Sequence, residues 1–132
     1  MIDWTWTGPG RLEPDVLGEE PGKLPLAAAV VRMEDDDRGP RSSAYRIGDE
    51  ETYLFAEDGR ITHVEFSDRL MIAGRDVIDA PEEEIIALVA ARCGSPERGD
   101  GHVEWRECGL TMWFEDGLVE SVMVFRPASR SA

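Results

Sequence analysis

Several residue types are scarce or missing in this chain of 132 residues. It has one lysine, Lys23, and neither asparagine nor glutamine, and its 28 acidic residues against 14 basic ones give a net charge of −14. Proteins that bind nucleic acid or an anionic membrane surface present a basic footprint, so the composition argues against both classes. Hydrophobic residues make up 42% of the chain, which is typical of a folded globular protein rather than a disordered one.

Long apolar segments are also missing. The longest, Leu24 to Val31, has eight residues, far fewer than the roughly 20 that a membrane-spanning helix needs. The N-terminal segment, Met1 to Trp6, has neither the basic nor the apolar region of a signal peptide. We therefore expect a cytoplasmic protein that does not associate with membranes. Cys93 and Cys108 could pair, but in that compartment we expect them to be reduced thiols.

Alternating apolar and polar residues predict β-strands that are separated by tight turns. Asp58-Gly59 and Asp116-Gly117 each lie between two such segments, and Asp-Gly is a strong signal for a two-residue hairpin loop. The pattern predicts an α+β fold with a mainly antiparallel sheet of six to eight strands, built from two repeated meanders. We expect a single domain over residues 1–126, followed by a C-terminal tail at 127–132.

One principal helix is predicted at about residues 80–93. Asp79 and Glu82 have the spacing of a capping box, in which side chains satisfy the first amide groups of a helix. Ile85 and Val89 lie one turn apart on an apolar stripe. The helix should therefore pack on one face of the sheet and leave the opposite face to solvent or to a partner.

Two segments resemble each other at an offset of 58 residues. Glu57-Asp58-Gly59 then falls on Glu115-Asp116-Gly117, and Ile61 falls on Val119. One interpretation is a duplicated three-stranded meander whose two copies pair edge to edge. The alternative is that any two hairpins share an Asp-Gly turn and β-branched residues.

The second half also resembles a known family. Residues 84–94 are helical in pattern, Gly94-Ser95-Pro96 follows, an aromatic strand contains Trp105, and a hairpin contains Phe114-Glu115-Asp116-Gly117. This order is similar to that of the β-lactamase-inhibitor-protein-like superfamily, which includes small outer-membrane assembly lipoproteins and secreted inhibitors built from two such repeats. The resemblance implies a sheet that binds a protein, although this sequence lacks the export signal and the lipid-attachment cysteine of the family.

Motifs for catalysis are missing. The sequence has no glycine-rich phosphate loop, no Gly-x-Ser-x-Gly elbow and only two histidines, so we expect no enzyme activity and no cofactor. The two histidines occur in similar tripeptides, in which His63 precedes Glu65 and His102 precedes Glu104 by two positions. If the two strands were neighbours, these four side chains could bind Zn²⁺ or Mn²⁺. The alternative is that all four occupy exposed sheet positions.

Aromatic residues are the other candidates for function. Trp and Tyr are enriched at protein interfaces, which makes Trp4, Trp6, Tyr45 and Trp105 candidate partner-binding residues. The alternative is that most of the tryptophans pack in the core.

The leading hypothesis is a non-enzymatic, acidic protein-binding module. A concrete version is an immunity-type protein whose acidic surface neutralises a basic toxin, because charge complementarity accelerates association and selects the partner. A small-ligand or metal-binding module is one alternative. A homodimeric structural protein, whose partner is a second copy of the chain, is another.

Overall fold

The computed structural model describes residues 3–24, 30–33, 42–48 and 50–127. Within these ranges the chain forms one α-helix and twelve β-strands. The helix α1 is Glu82–Cys93, and the strands are β1 Thr5–Gly8, β2 Arg11–Glu13, β3 Val30–Met33, β4 Ser42–Ile47, β5 Thr52–Glu57, β6 Arg60–Phe66, β7 Met71–Ile72, β8 Arg75–Asp76, β9 Glu97–Gly99, β10 His102–Trp105, β11 Leu110–Glu115 and β12 Leu118–Phe125.

The strands form two sheets. The large sheet has eight strands in the order β3-β4-β5-β6-β12-β11-β10-β9, and every neighbouring pair in it is antiparallel. The small sheet has four strands in the order β2-β1-β7-β8. The prediction of an α+β fold with a mainly antiparallel sheet is confirmed, but six to eight strands is too few, because the described residues form twelve strands in two sheets.

The core lies on one face of the large sheet. In an antiparallel sheet, residues directly opposite each other share a face, and successive residues alternate between faces. Leu54 pairs with Val64, Val64 with Val124, and Val124 with Leu110, and all four are buried. By this alternation, every large-sheet residue of the hydrophobic core cluster lies on this face, where residues of α1 and of the small sheet complete the cluster.

The large sheet consists of two halves whose corresponding hairpins have the same residue pairing. β3–β6 form the first half and β9–β12 the second, and they meet where β6 pairs with β12. In the first half a bulge separates the pairs Phe55–His63 and Ala56–Ile61. In the second half a bulge separates Trp113–Ser121 and Phe114–Val119, at the positions 58 residues later.

Different elements cover the two halves. Over the first half, the ring of Trp4 packs edge-on against Phe66 at 5.5 Å, and the amide of Gly18 donates to the carbonyl of Ile61 at 2.7 Å. Over the second half lies α1, with Pro81 bridged to Leu118 at its N-terminal end. The helix is therefore not the only cover of the sheet.

Helix α1 confirms the predicted apolar face and corrects the predicted cap. Ile85 and Val89 are fully buried. The residue that precedes the helix is Pro81, and no side chain caps it. Asp79 adopts a left-handed backbone conformation, and the amide of Glu82 donates instead to the carbonyl of Gly117 at 2.9 Å. The amide group that we expected a capping box to satisfy therefore bonds to the backbone of the β11–β12 hairpin.

The predicted C-terminal tail at 127–132 falls mostly outside the described residues. Pro127 is described and lies beside Gly10, whereas 128–132 are not among the described ranges. The apolar segment at residues 26–33 is compatible by its sequence with a strand or a short buried helix, and its described part, Val30–Met33, is strand β3.

Candidate functional site

The face of the large sheet opposite the core is the main candidate for a binding surface. We call it the open face. It carries partly exposed side chains from both halves of the sheet, including those of Tyr53, Phe55, His63, Glu65, His102, Glu104, Trp113, Met123 and Phe125. A partly exposed aromatic surface of this kind is typical of protein interaction sites.

A mostly apolar row crosses the open face over five strands. Met33 lies opposite Ala44, Ala44 opposite Phe55, Phe55 opposite His63, and His63 opposite Phe125. The rings of His63 and Phe125 are 5.5 Å apart. Met33 is 39% exposed and lies on the edge strand β3. With about 4.8 Å between strands, the row is roughly 19 Å long, enough to contact a segment of a partner.

The next row of the open face carries charge. Arg46 lies opposite Tyr53, Tyr53 opposite Glu65, and Glu65 opposite Met123. Burial raises the pKa of the Glu65 carboxyl above its ordinary value of 4.5, and the negative charge of Glu120 raises it further. A carboxylate in this position favours a cation from a partner, because a cation would offset both effects.

An acidic cleft adjoins this face. It has a volume of about 400 Å³ and is lined by five acidic residues and by Ser67, Val119 and the 40%-exposed side chain of Leu118. Among the described residues, no lysine or arginine lines it. The acidic residues are Glu51, Asp79, Glu115, Asp116 and Glu120. Glu120 therefore lines the cleft and also acts on the charge of Glu65 on the open face.

A larger cavity lies elsewhere and has mixed charge. It has a volume of about 550 Å³ and is lined by residues of β1, β2 and the segment after β12, including Arg11, Arg126, Glu13 and Asp15. Its two basic and two acidic residues balance, so it does not select a partner of one charge.

The four predicted partner-binding residues are not on the open face. Trp4, Trp6 and Trp105 are at most 3% exposed and belong to the core, and Tyr45 of β4 is partly buried and packs against that core. The indole nitrogen of Trp105 donates to the carbonyl of Gly94 at 2.8 Å, directly after α1. The three tryptophans therefore follow the alternative stated with the prediction, burial in the core.

The aromatic residues that the open face presents are not among the four predicted partner-binding residues. Trp113 lies opposite Ser121 and His102, while its neighbour Met112 is fully buried. The alternation in β11 contained this signal, because Met112 in the core places Trp113 on the other face. The bulge after Trp113 obscured it, since Phe114 returns to the core side earlier than strict alternation would predict.

The structure does not bring the predicted metal ligands together. His63 and Glu65 lie on β6, whereas His102 and Glu104 lie on β10, and two strands separate β6 from β10. This separation is roughly 14 Å at ordinary strand spacing. In the described ranges, no three His, Cys, Asp or Glu side chains are grouped to hold a metal ion. The condition that the hypothesis required, neighbouring strands, is not met.

The two cysteines form a disulfide rather than the expected free thiols. Cys93 ends α1, and Cys108 belongs to the 3-10 turn Arg106–Cys108 between β10 and β11. Their Cα atoms are 6.2 Å apart, within the range that a disulfide requires. The sequence left the pairing open because the turn and the helix end that carry the cysteines meet only in the folded protein.

No helix in the described ranges combines the length and apolar character that crossing a membrane requires. Comparison with family models, with curated proteins and with solved structures finds no match to this chain. The resemblance to the β-lactamase-inhibitor-protein-like superfamily therefore stays a prediction.

Proposed function

We propose that this protein is a non-enzymatic, acidic protein-binding module that binds a basic protein through the open face and the adjoining acidic cleft. The observation that supports this proposal most directly is the cleft, in which five carboxylates meet without a lysine or arginine among the described residues that line it. The open face next to it supplies partly exposed aromatic rings. Aromatic rings and carboxylates are the groups that recognise arginine and lysine side chains.

A concrete version of the proposal is an immunity-type protein that neutralises a basic toxin, in the cytoplasm. The net charge of −14 would accelerate association with such a partner, and the apolar row would hold it after contact. Finding a toxin gene next to the gene of this protein would support this version, and stoichiometric inhibition of that toxin by the purified protein would test it.

The first experiment uses an oligoarginine peptide as a probe of the surface. Binding is measured by calorimetry and by the fluorescence of Trp113, which is the most exposed tryptophan of the chain. We expect saturable binding that weakens steeply with added salt. Glu115→Lys and Glu120→Lys should each weaken binding by roughly tenfold or more, since they place a cation in the cleft.

A matched control separates the cleft from the net charge of the protein. Glu19→Lys makes the same charge change at an exposed position outside the cleft. Equal losses from Glu19→Lys and Glu120→Lys would mean that only net charge attracts the peptide, and the proposal would then fail. The remaining alternative is a homodimer, which mass measurement across a dilution series tests. Under our proposal we expect a monomer at every concentration.

We further propose that the two halves of the large sheet are copies of one duplicated unit. The shared register and the two bulges at positions 58 residues apart support this. At the junction, Glu65 pairs with Met123, and these two residues are also 58 positions apart. The halves are therefore related by a local two-fold axis through this pair.

A further inference from the structure

The end of α1 is attached to the sheet in a different way from its start. At the start, the amide of Glu82 donates to Gly117 and the amide of Val119 donates to Ala80, at 2.9 and 3.0 Å. At the end, Cys93 packs against the core and forms the disulfide to Cys108, and the indole nitrogen of Trp105 donates to the carbonyl of Gly94. The first end rests on backbone pairing and the second mainly on one covalent bond.

The last turn of the helix adds little to the core. The buried residues of α1 are Ile85, Ile86 and Val89, all of which precede this turn. Ala91 and Arg92 are exposed, and Cys93 is only partly buried. Burial of apolar surface is what normally holds a helix against a sheet, so the last turn depends on its disulfide.

The strand that follows is also weakly held. All three residues of β9 are exposed, and β9 is an edge strand that pairs only with β10. Its side-chain attachments are exposed ion pairs, Arg98 with Glu83 at 3.8 Å and Arg106 with Glu97 at 3.1 Å. Exposed pairs of this kind contribute little stability.

The turn that carries Cys108, by contrast, has other attachments. The amide of Gly10 donates to the carbonyl of Cys108, and the amide of Phe125 donates to the carbonyl of Gly109 at 2.9 Å. A Cβ atom at Gly109 would collide with the backbone oxygen of Phe125, which shows how closely the two segments pack. If the disulfide opens, the helix end is therefore the side that moves.

We infer that the Cys93–Cys108 disulfide is a reversible redox clamp that holds residues 90–99, the last turn of α1 and strand β9, against the second half of the sheet. A cleft of about 170 Å³ lies beside it, lined by both cysteines and by residues of β9 and β10. Cys93 is the more exposed of the two residues, because it is partly exposed whereas Cys108 is only 7% exposed. A reductant therefore approaches Cys93.

The reaction is a thiol–disulfide exchange with a dithiol reductant. A thiolate of the dithiol attacks Sγ of Cys93, the bond between the two cysteines breaks, and Cys108 leaves as a thiolate that takes up a proton. The second thiol of the reductant then attacks the mixed disulfide and releases the Cys93 thiol. Two electrons and two protons pass to the protein, and the dithiol becomes a disulfide.

The experiment is hydrogen exchange measured by mass spectrometry, on the protein as purified and after treatment with dithiothreitol. We expect amide exchange in residues 90–99 to rise by roughly tenfold or more after reduction, while exchange in β5 and β6 stays unchanged. Removal of the reductant and reoxidation should restore the slow exchange. Thiol counting before treatment should find no free thiol.

A double variant, Cys93→Ser with Cys108→Ser, provides the control. It should exchange like the reduced protein and should not respond to dithiothreitol. The inference is overturned if reduction leaves residues 90–99 unchanged, if exchange rises equally across the whole large sheet, or if the untreated protein contains two free thiols. None of these results bears on peptide binding by the acidic cleft, so the two proposals fail separately.

Discussion

The two halves of the large sheet have the same strand register but different covers. In the first half, β4–β6 pack beneath the segment at residues 3–24, with Trp4 against Phe66 and the 18–19 loop hydrogen-bonded to Ile61. In the second half, β10–β12 pack beneath α1, which is joined to the sheet by a disulfide. The same hairpin geometry is therefore compatible with two kinds of cover, because it arises from local turn and bulge signals.

The difference also affects how each half is stabilised. The cover of the first half buries two tryptophans together with aliphatic side chains, whereas the cover of the second buries only aliphatic side chains of the helix and adds a covalent bond. We therefore expect the two halves to respond differently to truncation of core residues and equally to changes in their turns.

The largest effect is expected at the junction of the halves. Phe66 is fully buried, contacts Trp4, and lies opposite Val122 of the other half. Phe66→Ala should lower the free energy of unfolding by about 3–5 kcal/mol, because it removes a large buried ring and leaves a cavity. Urea denaturation followed by fluorescence and by circular dichroism measures this. Separate transitions for the two signals would show that the halves unfold independently.

The next effect concerns the cover of the second half. Ile85→Ala should lower the free energy of unfolding by about 2–4 kcal/mol, since the side chain of Ile85 is fully buried between α1 and the sheet. Glu83→Ala is the control on the outer face of the same helix, and it should cost no more than roughly a few tenths of a kcal/mol. A denaturation series in which Glu83→Ala destabilises more than Ile85→Ala would mean that the helix packs with its other face.

A smaller effect should be equal in the two halves. Gly59 and Gly117 have φ angles of +81° and +76°, and a Cβ atom at either position meets no neighbouring atom within 4 Å. Gly59→Ala and Gly117→Ala should therefore each cost about 1–2 kcal/mol, from the left-handed backbone conformation alone. Thermal denaturation of the two variants compares them directly. Costs that differ by more than their experimental error would contradict the equivalence of the hairpins.

The smallest effect on stability concerns Glu65, whose equivalent in the other half is the uncharged Met123. Because burial and Glu120 raise the pKa of Glu65 in the folded protein, its ionised form destabilises the fold. Glu65→Gln should therefore stabilise the protein slightly at neutral pH. The gain should shrink as the pH falls through the raised pKa of Glu65 and vanish below its unfolded value of 4.5, where both states are protonated.

Urea denaturation at several pH values measures this effect, with Glu57→Gln as the control. Glu57 is exposed, so its substitution should produce no comparable gain at neutral pH. A gain from Glu65→Gln that stays constant down to the acidic end of the series would show that the carboxyl charge is not its cause.

Local features of this protein could be predicted from its sequence because neighbouring residues determine them. The Asp-Gly pairs impose left-handed backbone conformations at both turns, so the hairpins at Asp58 and Asp116 form where they were expected. The spacing of Ile85 and Val89 was sufficient to orient α1, because a helix has a fixed period. The acidic composition, likewise, is independent of the fold.

Contacts between distant segments were decided only by the tertiary structure. Alternation divides each strand into two faces, but it does not reveal which face the other segments cover. For this reason we chose the buried Trp105 as a binding residue and not Trp113 of the open face. The capping of α1 by Gly117 and the pairing of Cys93 with Cys108 likewise depend on how β10–β12 meet the helix. Such contacts follow from the complementary shape and hydrogen bonding of surfaces that are adjacent only after folding, and no local pattern encodes them.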